Sequence, residues 1–316
     1  MITVDVETQE VFKKFVKRRT KFCNFLEVAK SIALQLESKD LNICSENPDL
    51  VGIDLFVRLI STSESIVKIL PKEGKDFENK FLDYYSIFSL TRNIIETSEI
   101  LFYIFMDTYN NDERFFRIKQ LQVSDTNLWI SKIKYILKEA NNQTWKDELC
   151  KQSKRKYELL EEIKYNPIYK KLRPEANVKF KSVSKKFFKI ARNKSEDIDL
   201  LELEDSNMYI LESDMKYLNK DTSIFAYFIC SAISHSQSST VNSFLFNSKE
   251  GLKYALDNIS TALYFSSVYF AHSSKIFIKK VIPVINTIYE QYTKAERMQL
   301  QKAFKHIDDL LKIINT

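Results

Sequence analysis

Two short constellations hold the side chains in this sequence that could do chemistry. The first is Arg92-Asn-Ile-Ile-Glu96, with Glu99 three residues further on. Spacings of four and seven put the guanidinium and both carboxylates on one side of a helix. The stretch 84–105 carries no other formal charge, so the arginine is expected away from bulk water. A desolvated guanidinium needs a carboxylate partner, because burying it alone costs several kcal/mol. The spacing allows an intrahelical Arg92–Glu96 pair that orders the core, or a polar site facing a cleft between helices. The second constellation is Tyr227, Ser231, Ser234, His235 and Ser236 in an otherwise apolar stretch. His235 falls near the C-terminal end of a predicted helix, where the dipole favours a protonated imidazole. Histidine occurs elsewhere only as His272 and His306. His306 follows Lys302 and Lys305 and reads as surface, and His272 beside Ser273 and Ser274 reads as a satisfied core group. His235 is therefore the candidate general acid or base, with a structural histidine on an apolar helix as its alternative.

Other chemistries are excluded by what is missing. The only glycines are Gly52, Gly74 and Gly251, and phosphate-cradling loops need glycine for close backbone approach. Neither the dinucleotide fingerprint nor the P-loop can be written with these three. No paired Cys/His spacing, zincin motif or calcium loop occurs, and no histidine has a carboxylate three residues before it. No Cys/His metal ligand set and no cofactor are expected, while spacing leaves Asp/Glu-only magnesium coordination open. Nucleophilic catalysis has no G-x-S-x-G and no cysteine paired with a base.

Charge is unevenly placed. Residues 146–194 hold sixteen Lys or Arg against six Asp or Glu, and 196–214 hold eight acids and no base. The basic block, with Lys154, Arg155, Lys185 and Lys186, interleaves tyrosines and phenylalanines. Cations and stackable rings are the parts of an RNA groove, although a solvated helix has the same composition. The adjacent acids could neutralise the block within one chain or across a homodimer. Cys23, Cys44, Cys150 and Cys230 lie far apart and read as reduced thiols of a cytoplasmic protein. The opening residues MITVDVETQE are acidic and lack an apolar run, so they do not read as a secretory signal. The uncharged stretch 258–274 is rich in serine and too short for lipid. It reads as a buried helix, and no membrane association is expected.

The elements that must position these residues are helices. Apolar residues recur at three and four almost throughout, which predicts an all-α bundle of about ten helices and no sheet. Helices are expected over 5–38, 49–70, 76–110, 144–165, 221–236, 250–286 and 287–314. A short helix after the 110–112 turn, a Ser124/Asp125 cap and a helix to 140 are expected between them. Helices should resume near Ser182 and again over 207–218, with a kink at Pro283. Trp129 and Trp145 read as core or packing anchors. The chain reads as one helical protein over 1–316, with the charged segment 144–215 as a candidate insertion or linker.

The Arg92-x3-Glu96 helix, followed by the Tyr227/Ser231/Ser234/His235-Ser236 helix, resembles an uncharacterised bacterial all-helical family over about 77–270. A looser likeness is to HEPN domains, helical bundles that include metal-independent ribonucleases of toxin and antiviral systems. Their hallmark arginine would stand a few residues before His235, where this chain has Cys230. Cys230 breaks the motif, and one reading restores it as a composite site in which Arg92 reaches in from the neighbouring helix, oriented by Glu96, to hold a phosphate while His235 moves the ribose hydroxyl proton. Glu99, Tyr227, Ser231, Ser234 and Ser236 would line it. A defence- or toxin-type protein acting on RNA is the function that follows. A helical adaptor for a partner protein and a small-ligand sensor are the alternatives.

Overall fold

Four helices in this computed structural model begin where a side chain satisfies an open backbone group of the first turn, whereas the helix Val51–Ile69 starts after Leu50 with no side-chain cap. The structure describes residues 6–37, 39, 50–71, 82–106, 108, 110–140, 142–170, 187–189, 204–206, 218, 220–234, 249–284 and 289–313. The helices are α1 (Val6–Glu37), α2 (Val51–Ile69), α3 (Tyr84–Phe105), α4 (Asn111–Glu139), α5 (Gln143–Lys164), α6 (Pro167–Lys170), α7 (Lys220–Ser234), α8 (Lys249–Ile276) and α9 (Lys294–Ile313). Asp83 caps α3 by accepting from Ser86 N at 3.0 Å. Asn110 does the same for α4 from Glu113 N, and Asn142 for α5 from Thr144 N. Thr293 and Glu296 form a reciprocal capping box on α9, with Thr293 N donating to Glu296 Oε2 at 2.7 Å and Glu296 N to Thr293 Oγ1 at 3.2 Å.

The all-helical expectation holds, with one exception to the absence of sheet. Strand β1 (Phe187–Lys189) pairs antiparallel with β2 (Glu204–Ser206), and the register sets Lys189 opposite Glu204. This ribbon stands where a helix was expected to resume, and it joins the basic block to the acidic one. Other boundaries also move. Helix α3 starts at Tyr84 rather than near residue 76, because Asp83 supplies the cap. The Ser124/Asp125 cap does not form. Helix α4 runs straight through it with Ser124 buried, while Thr126 returns its hydroxyl to the Gln122 carbonyl at 2.7 Å. The last helix begins at Lys294, behind its capping box. In place of a simple proline kink, α8 continues into a π-helical turn over Phe277–Val281, just ahead of Pro283. The expected helix over 207–218, apart from Leu218, which is buried and not helical, and the breaks over 42–48 and 72–74 lie outside the described residues.

The chain divides into two compact units. One comprises Met1–Phe102 and Ile210–Thr316, the other Tyr103–Tyr209, and the division falls within α3. In the first unit α8 is the axis. Helix α1 packs along it, with α2 and α9 beside them, and Phe15, Phe22, Ile32, Phe56 and Phe270 are fully buried at these contacts. Each such aromatic contributes about 1.5–3 kcal/mol by leaving water. Phe56 of α2 stacks on Phe277 of the π-helical turn at 3.9 Å. The stretch expected to be a buried helix is the centre of α8, with residues 265–274 all buried. No described helix is long and apolar enough to cross a membrane.

The second unit is built on the α4–α5 hairpin, with α6 against α4. Its centre is Arg117, whose side chain is 1% exposed and paired with Glu113 at 2.7 Å one turn earlier. Arg117 also donates to the Tyr103 carbonyl at 2.8 Å and lies 4.3 Å from the Tyr103 ring. Tyr103 in turn donates to Gln120 at 3.2 Å. The fully buried arginine with a carboxylate four residues away is thus Arg117, which was not singled out from the sequence, whereas the Arg92–Glu96 pair is only half-buried. Trp129 and Trp145 meet edge-to-face at 6.2 Å where α4 crosses α5. They brace the hairpin but are no core anchors, since Trp129 is 39% exposed.

Candidate functional site

The first unit brings α3, α7 and α8 together around a polar cluster. Helices α3 and α8 run in the same direction, joined by hydroxyl pairs two turns apart. Thr91 meets Ser266 at 2.9 Å, and Ser273 donates to Ser98 at 2.8 Å, all four buried. The equal seven-residue step on both helices keeps small polar side chains facing each other. Phe102 stacks on Tyr269, which lies between Ser266 and Ser273 on α8, with ring centroids 6.4 Å apart. Helix α7 is held against α8 by Tyr269 donating to Ser223 at 3.0 Å and by Phe225 edge-on to Phe265 at 6.1 Å.

Arg92 connects α3 to α7. Its Nε donates to Glu96 at 2.9 Å, and its Nη2 donates to the Tyr227 hydroxyl at 3.4 Å. The guanidinium carbon lies 5.4 Å from the centre of the Tyr227 ring, within cation–π range. Burial works against the guanidinium's charge, but the hydrogen bond and charge of Glu96, followed by Tyr227, outweigh it and raise its pKa. The side chain is 24% exposed and that of Glu96 34%. Arg92 is therefore half-buried and braced on two sides, a fixed fork that can meet a phosphate or carboxylate.

Glu99 lies one turn beyond Glu96 and does not pair with Arg92. It is 2% exposed, and its Oε1 has no hydrogen-bond partner. Burial, reinforced by the charge of Glu96, pushes its carboxyl well above the usual range. Burial also raises Tyr269, with Glu99 adding to the shift. Cys230 of α7 is pushed up to about 12 by burial, with Arg92 pulling the other way. Its thiol is no nucleophile at neutral pH.

The structure brings together Arg92, Glu96 and Tyr227, with Glu99 behind them. Ser231 is half-buried on α7, and no described contact joins it to Arg92. Ser234 ends α7, while His235, Ser236, Lys185 and Lys186 lie outside the described residues. Lys154 and Arg155 are exposed on α5 in the other unit, where Arg155 pairs with Glu158 at 3.9 Å. Most of the surplus positive charge of 146–194 lies beyond this helix, since α5 itself nearly balances its bases with acids. His306 is exposed as expected. His272 is buried, but it is not satisfied: its Nε2 has no partner. Among the described residues no group of His, Cys, Asp and Glu could hold a metal ion, and Cys23, Cys150 and Cys230 form no disulfide.

Sequence reasoning missed a cationic run on α1, namely Lys13, Lys14, Lys17, Arg18, Arg19 and Lys21. Six bases within nine residues, without an acid among them, are a readable signal that the larger block at 146–194 obscured. The fold and site define an all-helical protein with an arginine–carboxylate–phenol cluster between two helices distant in sequence. No protein-family model matches the chain, and no curated protein and no solved structure is similar to it.

Proposed function

We propose that the chain binds RNA at the α3–α7 cluster and cleaves it there, with Arg92 holding the scissile phosphate and His235 accepting the proton. The observation that carries this reading is the Arg92–Tyr227 contact. It sets a braced, partly exposed guanidinium against the helix whose last residue immediately precedes His235 in the chain. The ribose 2′-oxygen would bond to phosphorus as the bond to the 5′-oxygen breaks. His235 would take the hydroxyl proton, and solvent would supply one to the departing oxygen. Glu96 is a positioning residue, fixing the guanidinium edge. The defence- or toxin-type role implied by the resemblance goes with this reading and stands or falls with cleavage.

The test is cleavage of a single-stranded RNA by the full chain. His235→Ala should abolish cleavage and leave the melting temperature unchanged. Arg92→Lys should slow cleavage while keeping the charge, because the planar fork is lost. Cleavage by His235→Ala at the wild-type rate, or none by the wild type, overturns the proposal.

One observation favours a second reading, a non-catalytic adaptor for a partner protein. Arg92 already has Glu96 and Tyr227 as partners, and the Thr91–Ser266 and Ser98–Ser273 bonds lock the same helices. On that reading the cluster orders the core. His235→Ala then lowers the melting temperature, and no RNA is turned over.

A further inference from the structure

The Tyr227 hydroxyl is only half used in its contact with Arg92. A guanidinium carries donors and no acceptor, so at 3.4 Å Arg92 Nη2 donates and the phenol oxygen accepts. The phenol proton therefore points elsewhere, and among the described residues no group accepts it. Two other phenols differ. Tyr269 donates to Ser223 at 3.0 Å and Tyr103 to Gln120 at 3.2 Å, both buried. Their protons are committed inside the fold, whereas Tyr227 is half-buried beside a guanidinium with 24% of its side chain exposed.

The surroundings favour an anion as the missing acceptor. Glu96 receives Arg92 Nε at 2.9 Å and makes no bond to the phenol. A hydroxyl that accepts from a cation is polarised toward donation, because each bond in such a chain strengthens the next. The ring is braced too, its centre 5.4 Å from the guanidinium carbon. A polarised O–H is thus held next to a fixed cation, and an ionised phosphate or carboxylate has the acceptors that both require. A phosphodiester presents two unesterified oxygens, so it can accept from the phenol and the guanidinium at once.

We propose that Tyr227 and Arg92 form one oxyanion-binding pair, the phenol donating to one unesterified oxygen of the phosphate and the guanidinium to the other. The identity of the anion as an RNA phosphodiester rests on the reading above, and the pairing of the two donors does not. As the 2′-oxygen bonds to phosphorus, charge builds on both unesterified oxygens. A donor already aimed at each then binds the transition state more strongly than the ground state. Tyr227 is on this account a catalytic residue, and its contribution falls mainly on kcat.

The test is Tyr227→Phe in the full chain, which keeps the ring against the guanidinium and removes only the O–H. The kcat/KM for single-stranded RNA should fall about tenfold to a hundredfold, the share of one hydrogen bond to a charged group, at an unchanged melting temperature. A melting temperature that falls together with cleavage would mean that the hydroxyl only props Arg92, and overturns the proposal. Sulfur, a poor acceptor, is then placed at one unesterified oxygen, giving two diastereomers at the cleaved phosphate. Wild type should cleave them unequally, since sulfur faces the phenol in one and the guanidinium in the other. Tyr227→Phe should shift that ratio by about tenfold. Equal rates in the wild type, or an unshifted ratio, also overturn the pair. Calorimetric titration with inorganic phosphate separates this proposal from the nuclease reading. A wild type that cleaves no RNA but binds phosphate, about tenfold more tightly than Tyr227→Phe does, keeps the pair and refutes the nuclease. Cleavage and phosphate binding by Tyr227→Phe at wild-type levels do the reverse, and a wild type that does neither refutes both.

Discussion

Acid should weaken the first unit through His272. This imidazole is 6% exposed on α8, its Nε2 has no partner, and burial lowers its pKa from 6.5 to about 4. Lys275 pushes in the same direction, and Asp308, which Lys275 bridges, pushes back slightly. A group that takes its proton more readily when unfolded makes stability fall as pH drops between the two values. The full effect is about 3 kcal/mol, and roughly 2 kcal/mol of it is reached by about pH 5. Carboxylates titrate in the same range, so the assay is a difference. Urea unfolding of wild type and His272→Leu is compared at about pH 7.5 and about pH 5. The gap between the two proteins should change by roughly 2 kcal/mol in favour of His272→Leu at the lower pH. A gap constant within about 0.5 kcal/mol would refute the reasoning and mean the imidazole is hydrated or partnered.

Glu99 should behave in the opposite sense. Its pKa is raised by burial, so its stabilisation is present below the ordinary carboxylate range and is lost as pH rises through the folded value. Glu99→Gln keeps the shape without the titration. It should unfold at higher urea than wild type at about pH 8, with the advantage shrinking toward about pH 5; no advantage at either pH contradicts this. In the second unit, Arg117→Leu should cost about 3–5 kcal/mol, because it strands the Glu113 carboxyl. Adding Glu113→Leu should recover much of that in thermal unfolding, and a double variant as unstable as the single one would refute it.

Helix content was legible because α1, α2 and α8 each carry an apolar period of three to four, while α5 read as a charge-laced helix closed by Asn166-Pro167. A capping side chain did not by itself make a boundary legible: α2 was placed within two residues without one, while the Asp83 cap of α3 went unread. Asn110 and Asn142 were readable, whereas Thr293–Glu296 needed the four-residue capping box to be noticed. Ser124 misled because a serine inside a long helix looks like a cap until its burial is known. The β1–β2 ribbon was hidden, since three-residue strands have no period to read. At the site, the Arg92–Glu96 pair followed from spacing alone. The hydroxyl at its other edge, Tyr227, lies 135 residues away, and no local pattern specifies that contact. Glu99 looked like a third member of the same face. Its isolation became visible only with the burial set by α8.

The measurement that bears most directly on the account is a double-mutant cycle between α3 and α7. Arg92→Gln, Tyr227→Leu and their combination would be unfolded in urea beside the wild type. The contact predicts a coupling of about 1 kcal/mol, the size of a cation–π contact reinforced by a hydrogen bond. Effects that add within about 0.3 kcal/mol would mean that the two side chains do not meet, and the α3–α7 site would go with them.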